Sequence, residues 1–515
     1  MNGRVFAHAL LQTTGEELRA VYALLFKTNI VSMMTAKTKD WLSKDTDHFN
    51  ESLQAEVKKL ARYSDAELQV KLLTEMVRAL ELKGLNYHHI RDIESQSEAI
   101  VQALHEQILK DDKDYRAFTE LADEQEVYLL LIQYQMQKLF STFHDKFREL
   151  NEEQSVEFTE KIKQMLTDLS LEKQYILKQK LDIDELTNEA IRSAILTQGS
   201  VIVLSAIVEV AGFSAYITLT TAIAATMALV GVTLPFGVYT LATTLFSMLI
   251  NPFILIPLAL GGGGVLLKHQ NKSLKKKLLP VGVLQMTLPI IAQNRIGQVD
   301  SAPFIEHWQQ QVAHYEELLA KRAEYKEAIV KKQADITKYE EDREHHVREM
   351  EVNEEKVKTY KAFIGKYITT VPEQERTPIL HEGIEWLTSK EQELIALDEQ
   401  QEENRGRKGL WNVITSTIDH TKLHIQKKQI QKELDEKRYL LADVFLEMDS
   451  SVLQTERHYV QVYEASVATH REKAFIYDEQ ATTAKEKLKE LKIRLNITNE
   501  QIGALQDEYY GLEDI

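Results

Sequence analysis

Cysteine is absent from this chain of 515 residues. Without a thiol, the protein cannot form a disulfide, bind zinc or an iron–sulfur cluster through cysteine, or use a thiolate nucleophile. Basic residues are also too few for a general nucleic-acid binder, because the formal net charge is −17 at pH 7 and an acidic surface repels phosphate. We therefore expect no nucleic-acid partner.

Recognisable catalytic and cofactor motifs are also missing. No HExxH, nucleophile-elbow, kinase, dinucleotide-binding or deaminase pattern occurs, and the tetraglycine Gly261–Gly264 is not followed by Gly-Lys-Ser/Thr. His420 and His424 lie four residues apart and are the best remaining metal pair, but scattered histidines of this kind usually lie on helix surfaces. We predict that the protein is not an enzyme and holds neither a cofactor nor a metal ion.

The N-terminus lacks the pattern of a Sec signal peptide. Met1–Ala7 leads into mixed polar and apolar sequence rather than a basic start, an apolar run and a small-residue cleavage site. We predict a cytoplasmic protein that associates with the membrane on activation. Secretion would require a route other than Sec.

Proline does not occur before Pro235, and six of the eight prolines lie between Pro235 and Pro303. An interior proline removes a backbone donor and clashes with the preceding helical turn. Long uninterrupted helices are therefore permitted on both sides of this interval, and turns or re-entrant hairpins are expected inside it.

Apolar residues recur at three- and four-residue steps in both outer parts of the chain, which predicts amphipathic helices and, towards the C-terminus, a coiled-coil seam. The predicted fold class is all-α: an elongated helical bundle and coiled coil with a central apolar helical hairpin. By composition, we divide the chain into an N-terminal helical bundle (1–185), an apolar, membrane-active hairpin region (186–300) and a C-terminal long-helix coiled-coil region (301–515).

The middle of the chain is almost free of charge. From Ser193 to Leu267 the only formally charged residue is Glu209, whereas 27% of the whole chain is charged. A helix that spans a bilayer needs about 20 apolar residues, and the runs 201–232 and 236–267 are long enough. They predict a helical hairpin with its tip at Leu234-Pro235-Phe236.

A third apolar piece, Leu278–Ala292, is too short to span a bilayer and is expected either in the membrane interface or against the bundle. The first run is rich in small residues, which allow helices to approach closely in lipid. The many threonines of this region make insertion into lipid less favourable. We therefore predict a segment that is exposed conditionally rather than a permanent anchor. Aspartates placed at Ala215 and Ala225, on the small-residue face, are expected to block insertion and to leave solubility intact.

The predicted membrane-interaction residues belong to this region and to the lysine cluster that follows it. Glu209 either lies at membrane depth, where a carboxylate is costly, or faces solvent or a basic residue of the bundle. The lysines would anchor the segment to anionic lipid. The full set is Glu209, Gly212, Phe213, Ala215, Tyr216, Leu234, Pro235, Phe236, Lys268, Lys272, Lys275, Lys276 and Lys277.

Two resemblances add to this interpretation. Residues 155–292 resemble the YaaW-like family of bacterial proteins, members of which occur in two-component anti-phage immune systems. The motifs that carry the resemblance are Gly212-Phe213-Ser214-Ala215-Tyr216, Leu234-Pro235-Phe236 with Tyr239, and Asn251-Pro252. This resemblance implies a cytoplasmic effector or sensor at the inner membrane, with a second protein component.

By layout alone, the chain resembles the α-helical pore-forming toxins of the cytolysin A type. That resemblance implies a water-soluble monomer that swings out its hairpin and forms a homo-oligomer in a lipid membrane. We therefore expect a membrane-active protein, either a pore-forming toxin component or an anti-phage defence effector. The alternative is a soluble helical interaction or scaffold module of a multi-protein bacterial immune complex, with the apolar segment as its core.

Overall fold

The structure is a computed structural model that describes residues 2–27, 47–121, 126–212, 215–229, 271–292, 297, 299–405 and 410–515. Every regular element within these ranges is helical, so the predicted all-α class is confirmed. The predicted hairpin tip at Leu234-Pro235-Phe236 and the run 236–267 lie outside the described residues.

The described residues form two compact units. Unit 1 comprises Met1–Lys321 and Thr498–Ile515, and unit 2 comprises Arg322–Ile497. Unit 1 thus includes the predicted N-terminal region together with the described part of the apolar region. The division of the chain at residues 185 and 300 rests on composition alone and stays a prediction.

Among the described residues up to 300 the helices are at most 22 residues long, and one of them ends in a π-helical turn, Ala23–Lys27. They are α1 (Asn2–Gln12), α2 (Gly15–Tyr22), α3 (Asp47–Leu60), α4 (Asp65–Ala79), α5 (Ile90–Asp111), α6 (Lys113–Leu121), α7 (Val127–Arg148), α8 (Glu152–Thr167), α9 (Leu171–Leu181), α10 (Asn188–Gln198), α11 (Ser200–Ala211), α12 (Ala215–Leu229) and α13 (Asn271–Ala292).

The later helices are much longer. They are α14 (Ala302–Tyr367), α15 (Pro378–Arg405), α16 (Leu410–Leu446) and α17 (Gln454–Glu508), with 3₁₀ turns at Ile368–Thr370, Glu373–Glu375 and Leu512–Asp514. Proline-free sequence permits α17 to run for 55 residues.

Side-chain caps explain where several short helices begin. The Ser64 hydroxyl accepts the Glu67 N–H at 3.1 Å at the start of α4, and the Thr187 hydroxyl accepts the Ala190 N–H at 3.1 Å at the start of α10. Each cap satisfies a backbone donor that the helix leaves free. Glycine ends two others: Gly199 and Gly212 have φ of +96° and +97°, values that L residues rarely adopt, so α10, α11 and α12 are separate helices.

The α13 helix lies in the core of unit 1. Every residue from Leu278 to Leu288 is buried, and the helix packs against α1, α4, α7, α12 and the π-helical turn. The third apolar piece therefore packs inside the bundle, which is one of its two predicted places. A helix that is apolar on all sides is stable only with such cover.

The expectation of turns at the middle prolines is wrong for α13. Pro280 and Pro289 both lie inside this continuous helix. An interior proline costs about 3 kcal/mol in an exposed helix. Here the uninterrupted burial of Leu278–Leu288 outweighs that cost, because each fully buried leucine-sized side chain contributes about 1.5–3 kcal/mol.

The C-terminal end of the chain packs on α4 and on the segment that follows it. Arg78 donates through Nη2 to the Gln506 carbonyl oxygen at 3.1 Å, and the Gly84 N–H donates to Asp514 Oδ2 at 2.9 Å. The buried ammonium of Lys71 lies 3.0 Å from Glu67 and also pairs with Glu508. The C-terminal residues of the chain are thus held in unit 1 by polar contacts with residues 71–84.

Unit 2 is built from long helices with small apolar clusters. One cluster includes Ile364, Leu387, Phe445 and Val460. A second contains only three buried residues, Ile336, Ala484 and Leu488. Between helices α14 and α17, His346 Nδ1 lies 2.9 Å from His470 Nδ1.

Candidate membrane-interaction region

The first candidate residues lie on α12 and are buried. Ala215 and Tyr216 are 2% and 5% exposed, and the Tyr216 ring stacks against the Phe140 ring of α7 with 6.1 Å between centroids. The helix packs chiefly on α8. No Asp, Glu, Lys or Arg occurs from Val210 to Leu267, so α12 enters the core as an uncharged helix.

Three threonines on these apolar helices bond to their own backbone. Thr220 Oγ1 donates to the Tyr216 carbonyl at 2.6 Å, and Thr226 Oγ1 to the Ala222 carbonyl at 2.8 Å. On α13, Thr287 Oγ1 donates to the Val283 carbonyl at 2.6 Å. A hydroxyl satisfied in this way needs neither water nor a neighbouring helix. These groups are therefore compatible with either a protein core or hydrocarbon.

Two other polar side chains on the same helices have atoms without a hydrogen-bond partner among the described residues. Neither amide atom of Gln285 has a hydrogen bond within the described residues, although the side chain is 3% exposed. Thr221 Oγ1 on α12 is buried in the same condition. A buried polar group without a partner costs about 1–3 kcal/mol. Gln285 was missed by sequence reasoning, although it is the only amide side chain in the uncharged stretch 278–292.

Glu209 lies on the outer face of α11. Its carboxylate pairs with the ammonium of Lys180 on α9, and the Glu209 side chain is 66% exposed. Of the two predicted alternatives, the structure has the one in which the carboxylate faces solvent and a basic residue of the bundle. An exposed pair of this kind contributes less than about 1 kcal/mol.

The lysine cluster is described only in part. Lys276 Nζ lies 3.1 Å from Glu81 Oε1, and Lys277 is half-buried. Lys272 and Lys275 belong to α13, but their side chains lie outside what the structure describes. Lys268 also lies outside the described residues, as do Phe213, Leu234, Pro235 and Phe236.

Gly212 is the break between the α11 and α12 helices. Its φ of +97° favours glycine, while a Cβ built there would meet no atom within 4 Å. The residue is therefore required for its backbone conformation rather than for close packing. The structure brings Glu209, Ala215 and Tyr216 onto adjoining helices of unit 1, joined at Gly212, whereas Lys272, Lys275, Lys276 and Lys277 belong to a separate helix, α13.

Within the described ranges, no helix combines the length and the apolar character needed to cross a membrane. The same residues contain no cluster of three or more His, Asp or Glu side chains suited to a metal ion. His424 is exposed, and the side chain of His420 is not among those described. The expectation of a non-enzymatic protein stays a prediction.

Comparison with protein-family models, with curated proteins and with solved structures gives no match for this chain. The resemblances to the YaaW-like family and to the cytolysin A type therefore stay predictions.

Proposed function

We propose that this is a membrane-active helical protein that stores uncharged helices in the core of unit 1 and exposes them at a bilayer. There they bind, perturb or permeabilise the membrane, as in a pore-forming toxin component or an anti-phage defence effector. The observation that carries the proposal is the packing of α12 against α13: most of the described side chains of α12 and every residue from Leu278 to Leu288 are buried, and 215–229 and 278–292 contain no charged residue.

The physical argument concerns what these helices lose on leaving the core. Lipid tails are as apolar as leucine, so moving an apolar side chain from the core to lipid changes its solvation little. The hydroxyls of Thr220, Thr226 and Thr287 carry their hydrogen bonds with them. The main cost is then the tertiary packing of unit 1, and whole-domain stabilities are only about 5–15 kcal/mol.

The polar defects in the core act in the same direction. Gln285 and Thr221 carry polar atoms that have no hydrogen-bond partner within the described residues, so no hydrogen bond of these atoms is lost when α12 and α13 leave the core. A second protein or another copy of the chain could supply partners for these groups. The proposal therefore includes a homo-oligomer at the membrane and a second protein component.

The alternative function is a soluble helical interaction or scaffold module. It is favoured by the complete burial of Leu278–Leu288 and by the ion pair between Lys276 and Glu81, which tie α13 into unit 1. On this alternative, the apolar helices are the permanent core and never contact lipid.

Vesicle leakage separates the two functions. The full chain is mixed with dye-loaded vesicles of anionic or zwitterionic lipid, and sedimentation and dye release are followed. We expect binding and release with anionic vesicles. If the chain neither binds the vesicles nor releases dye across pH 5 to 8, the proposal fails and the soluble module stands.

The stored state is tested in the absence of lipid. Because the chain has no cysteine, an Ala222→Cys variant carries one thiol at a site that is 1% exposed. A matched Ser193→Cys variant carries its thiol at an exposed position. We expect a soluble maleimide to react roughly 100-fold more slowly at position 222, since reaction there requires local opening. Equal rates would show that α12 is not stored.

A further inference from the structure

The α9 helix exposes large apolar side chains opposite its packed face. Leu177 and Leu181 are fully buried, whereas Leu171, Tyr175 and Ile176 are 83%, 59% and 39% exposed. Leu171 and Tyr175 are four residues apart and therefore lie one above the other. A helix on the surface of a soluble bundle normally has a single apolar stripe. This one has apolar residues on its outer side as well.

The same helix is basic within an acidic chain. Residues 171–181 contain three lysines and one glutamate, a net charge of +2, whereas the whole chain carries −17. Lys180 pairs with Glu209. Lys173 and Lys178 form no ion pair within the described part of the chain, so their charges are available to an anionic surface.

The position of α9 connects it to the uncharged region. The helix packs against α11, whose Ile202 is 58% exposed, and α11 leads directly into the charge-free stretch from Val210 to Leu267. Exposed apolar residues rimmed by charges usually mark an interaction surface.

We propose that the outer face of α9 is the surface with which the protein first docks on an anionic bilayer. This inference rests on the proposed function and names its contact site. Leu171, Tyr175 and Ile176 enter the interface between headgroups and acyl chains, while Lys173 and Lys178 lie among the headgroups. Because the acidic chain as a whole is repelled by anionic lipid, docking requires a local basic face of this kind.

Surface substitutions test the apolar part of this site without disturbing the core. Leu171→Ser is compared with Leu121→Ser, whose leucine is 88% exposed on α6. Binding of the full chain to anionic vesicles is measured by sedimentation. We expect Leu171→Ser to weaken partitioning roughly 10-fold, since most of a leucine's burial free energy is lost. The Leu121→Ser control is expected to bind like the wild type.

The charged part is tested with equal changes in net charge. The pair Lys173→Gln and Lys178→Gln is compared with the pair Lys110→Gln and Lys113→Gln, whose exposed lysines lie near the end of α5 and at the start of α6. We expect the first double variant to bind anionic vesicles at least roughly 10-fold more weakly, because each lysine near an anionic surface adds a several-fold factor. The second pair is expected to have a much smaller effect.

The outcomes distinguish this inference from the function on which it rests. If the wild type binds no vesicle, the proposed function fails. If the wild type binds and Leu171→Ser binds equally well, the docking surface is wrong and the proposed function stands. If Leu171→Ser abolishes self-association in the ultracentrifuge but leaves vesicle binding unchanged, the face is covered by a second copy, and the lipid assignment is overturned.

Discussion

The two units use apolar burial in different ways. Unit 1 surrounds its uncharged helices with a continuous apolar core that extends from Val5 to Leu512. In unit 2 the long helices meet through small clusters, one of them only Ile336, Ala484 and Leu488, and charged side chains beside these clusters pair across the helices. One such pair joins Lys485 to Glu340 at 2.6 Å.

This difference indicates different responses to perturbation. The free energy of unfolding of unit 1 depends mainly on side-chain volume and burial, because interior packing tolerates few voids. Unit 2 depends on a thinner core and on exposed ion pairs, which individually contribute little. Matched substitutions in the two units test this contrast.

Matched leucine truncations should destabilise unit 1 more than unit 2. Leu284 on α13 is 1% exposed and Leu488 on α17 is 8% exposed. We expect Leu284→Ala to lower the free energy of unfolding of unit 1 by about 4 kcal/mol, and Leu488→Ala to lower that of unit 2 by about 2 kcal/mol. Denaturant unfolding followed by hydrogen exchange in each unit measures both values. Equal losses of unfolding free energy in the two variants would contradict the proposed difference between the units.

Glycine-to-alanine substitutions should destabilise unit 2 more than unit 1, the reverse of the leucine truncations. A Cβ at Gly365 in unit 2 would lie 2.8 Å from the backbone oxygen of Arg438, whereas a Cβ at Gly282 in unit 1 would lie 2.7 Å from the mobile tip of Leu25. Backbone cannot move aside as a side-chain tip can. We expect Gly365→Ala to cost about 1–3 kcal/mol and Gly282→Ala to change stability by less than about 1 kcal/mol, aided by the helix propensity of alanine. Thermal unfolding provides the comparison.

Acid should lower the folding stability of both units, through protonation of a different histidine in each. Burial lowers the pKa of His307, whose Nε2 lies 2.9 Å from Tyr509 Oη in unit 1. Burial and the neighbouring His470 lower the pKa of His346 in unit 2.

A lowered pKa means that the folded state binds fewer protons, so stability falls as pH drops below about 6.5, the unperturbed value of histidine. We expect His307→Gln to flatten the pH dependence of unit 1 alone, and His346→Gln that of unit 2 alone. Unfolding free energies between pH 5 and 8 test this. An unchanged slope in either variant would contradict the assignment.

Single ion pairs of unit 2 should have the smallest effect. The side chains of Lys485 and Glu340 are 57% and 44% exposed, so water screens their attraction. We expect Lys485→Gln to change the free energy of unfolding by less than about 0.5 kcal/mol. A loss comparable to that of Leu488→Ala would show that charge pairing, rather than the thin apolar core, stabilises this unit.

Helical periodicity was sufficient to predict the all-α class and the long C-terminal helices, since both depend on local spacing along the chain. The proline pattern misled at α13, because tertiary burial outweighs a local helix penalty and no local pattern reports burial. For the same reason, the sequence left two possibilities open for Glu209 that only the position of Lys180 distinguishes.

The structure also changes one test suggested by the sequence. Ala215 is 2% exposed, so Ala215→Asp would bury a charge and destabilise unit 1 rather than only block insertion. The outward apolar side of α9 was missed as well. Its net positive charge was available from composition, but which of its apolar residues face solvent depends on the packing against α11.

Photo-crosslinking from lipid acyl chains tests the central claim most directly. Anionic vesicles that carry a photoactivatable group deep in the acyl chain are irradiated with the full chain bound, and the modified peptides are mapped by mass spectrometry. If uncharged helices are stored and then released, modified residues will fall within 215–229 and 278–292. If the chain binds the vesicles but both segments remain unmodified, the apolar helices stay in the core of unit 1 and the account is wrong.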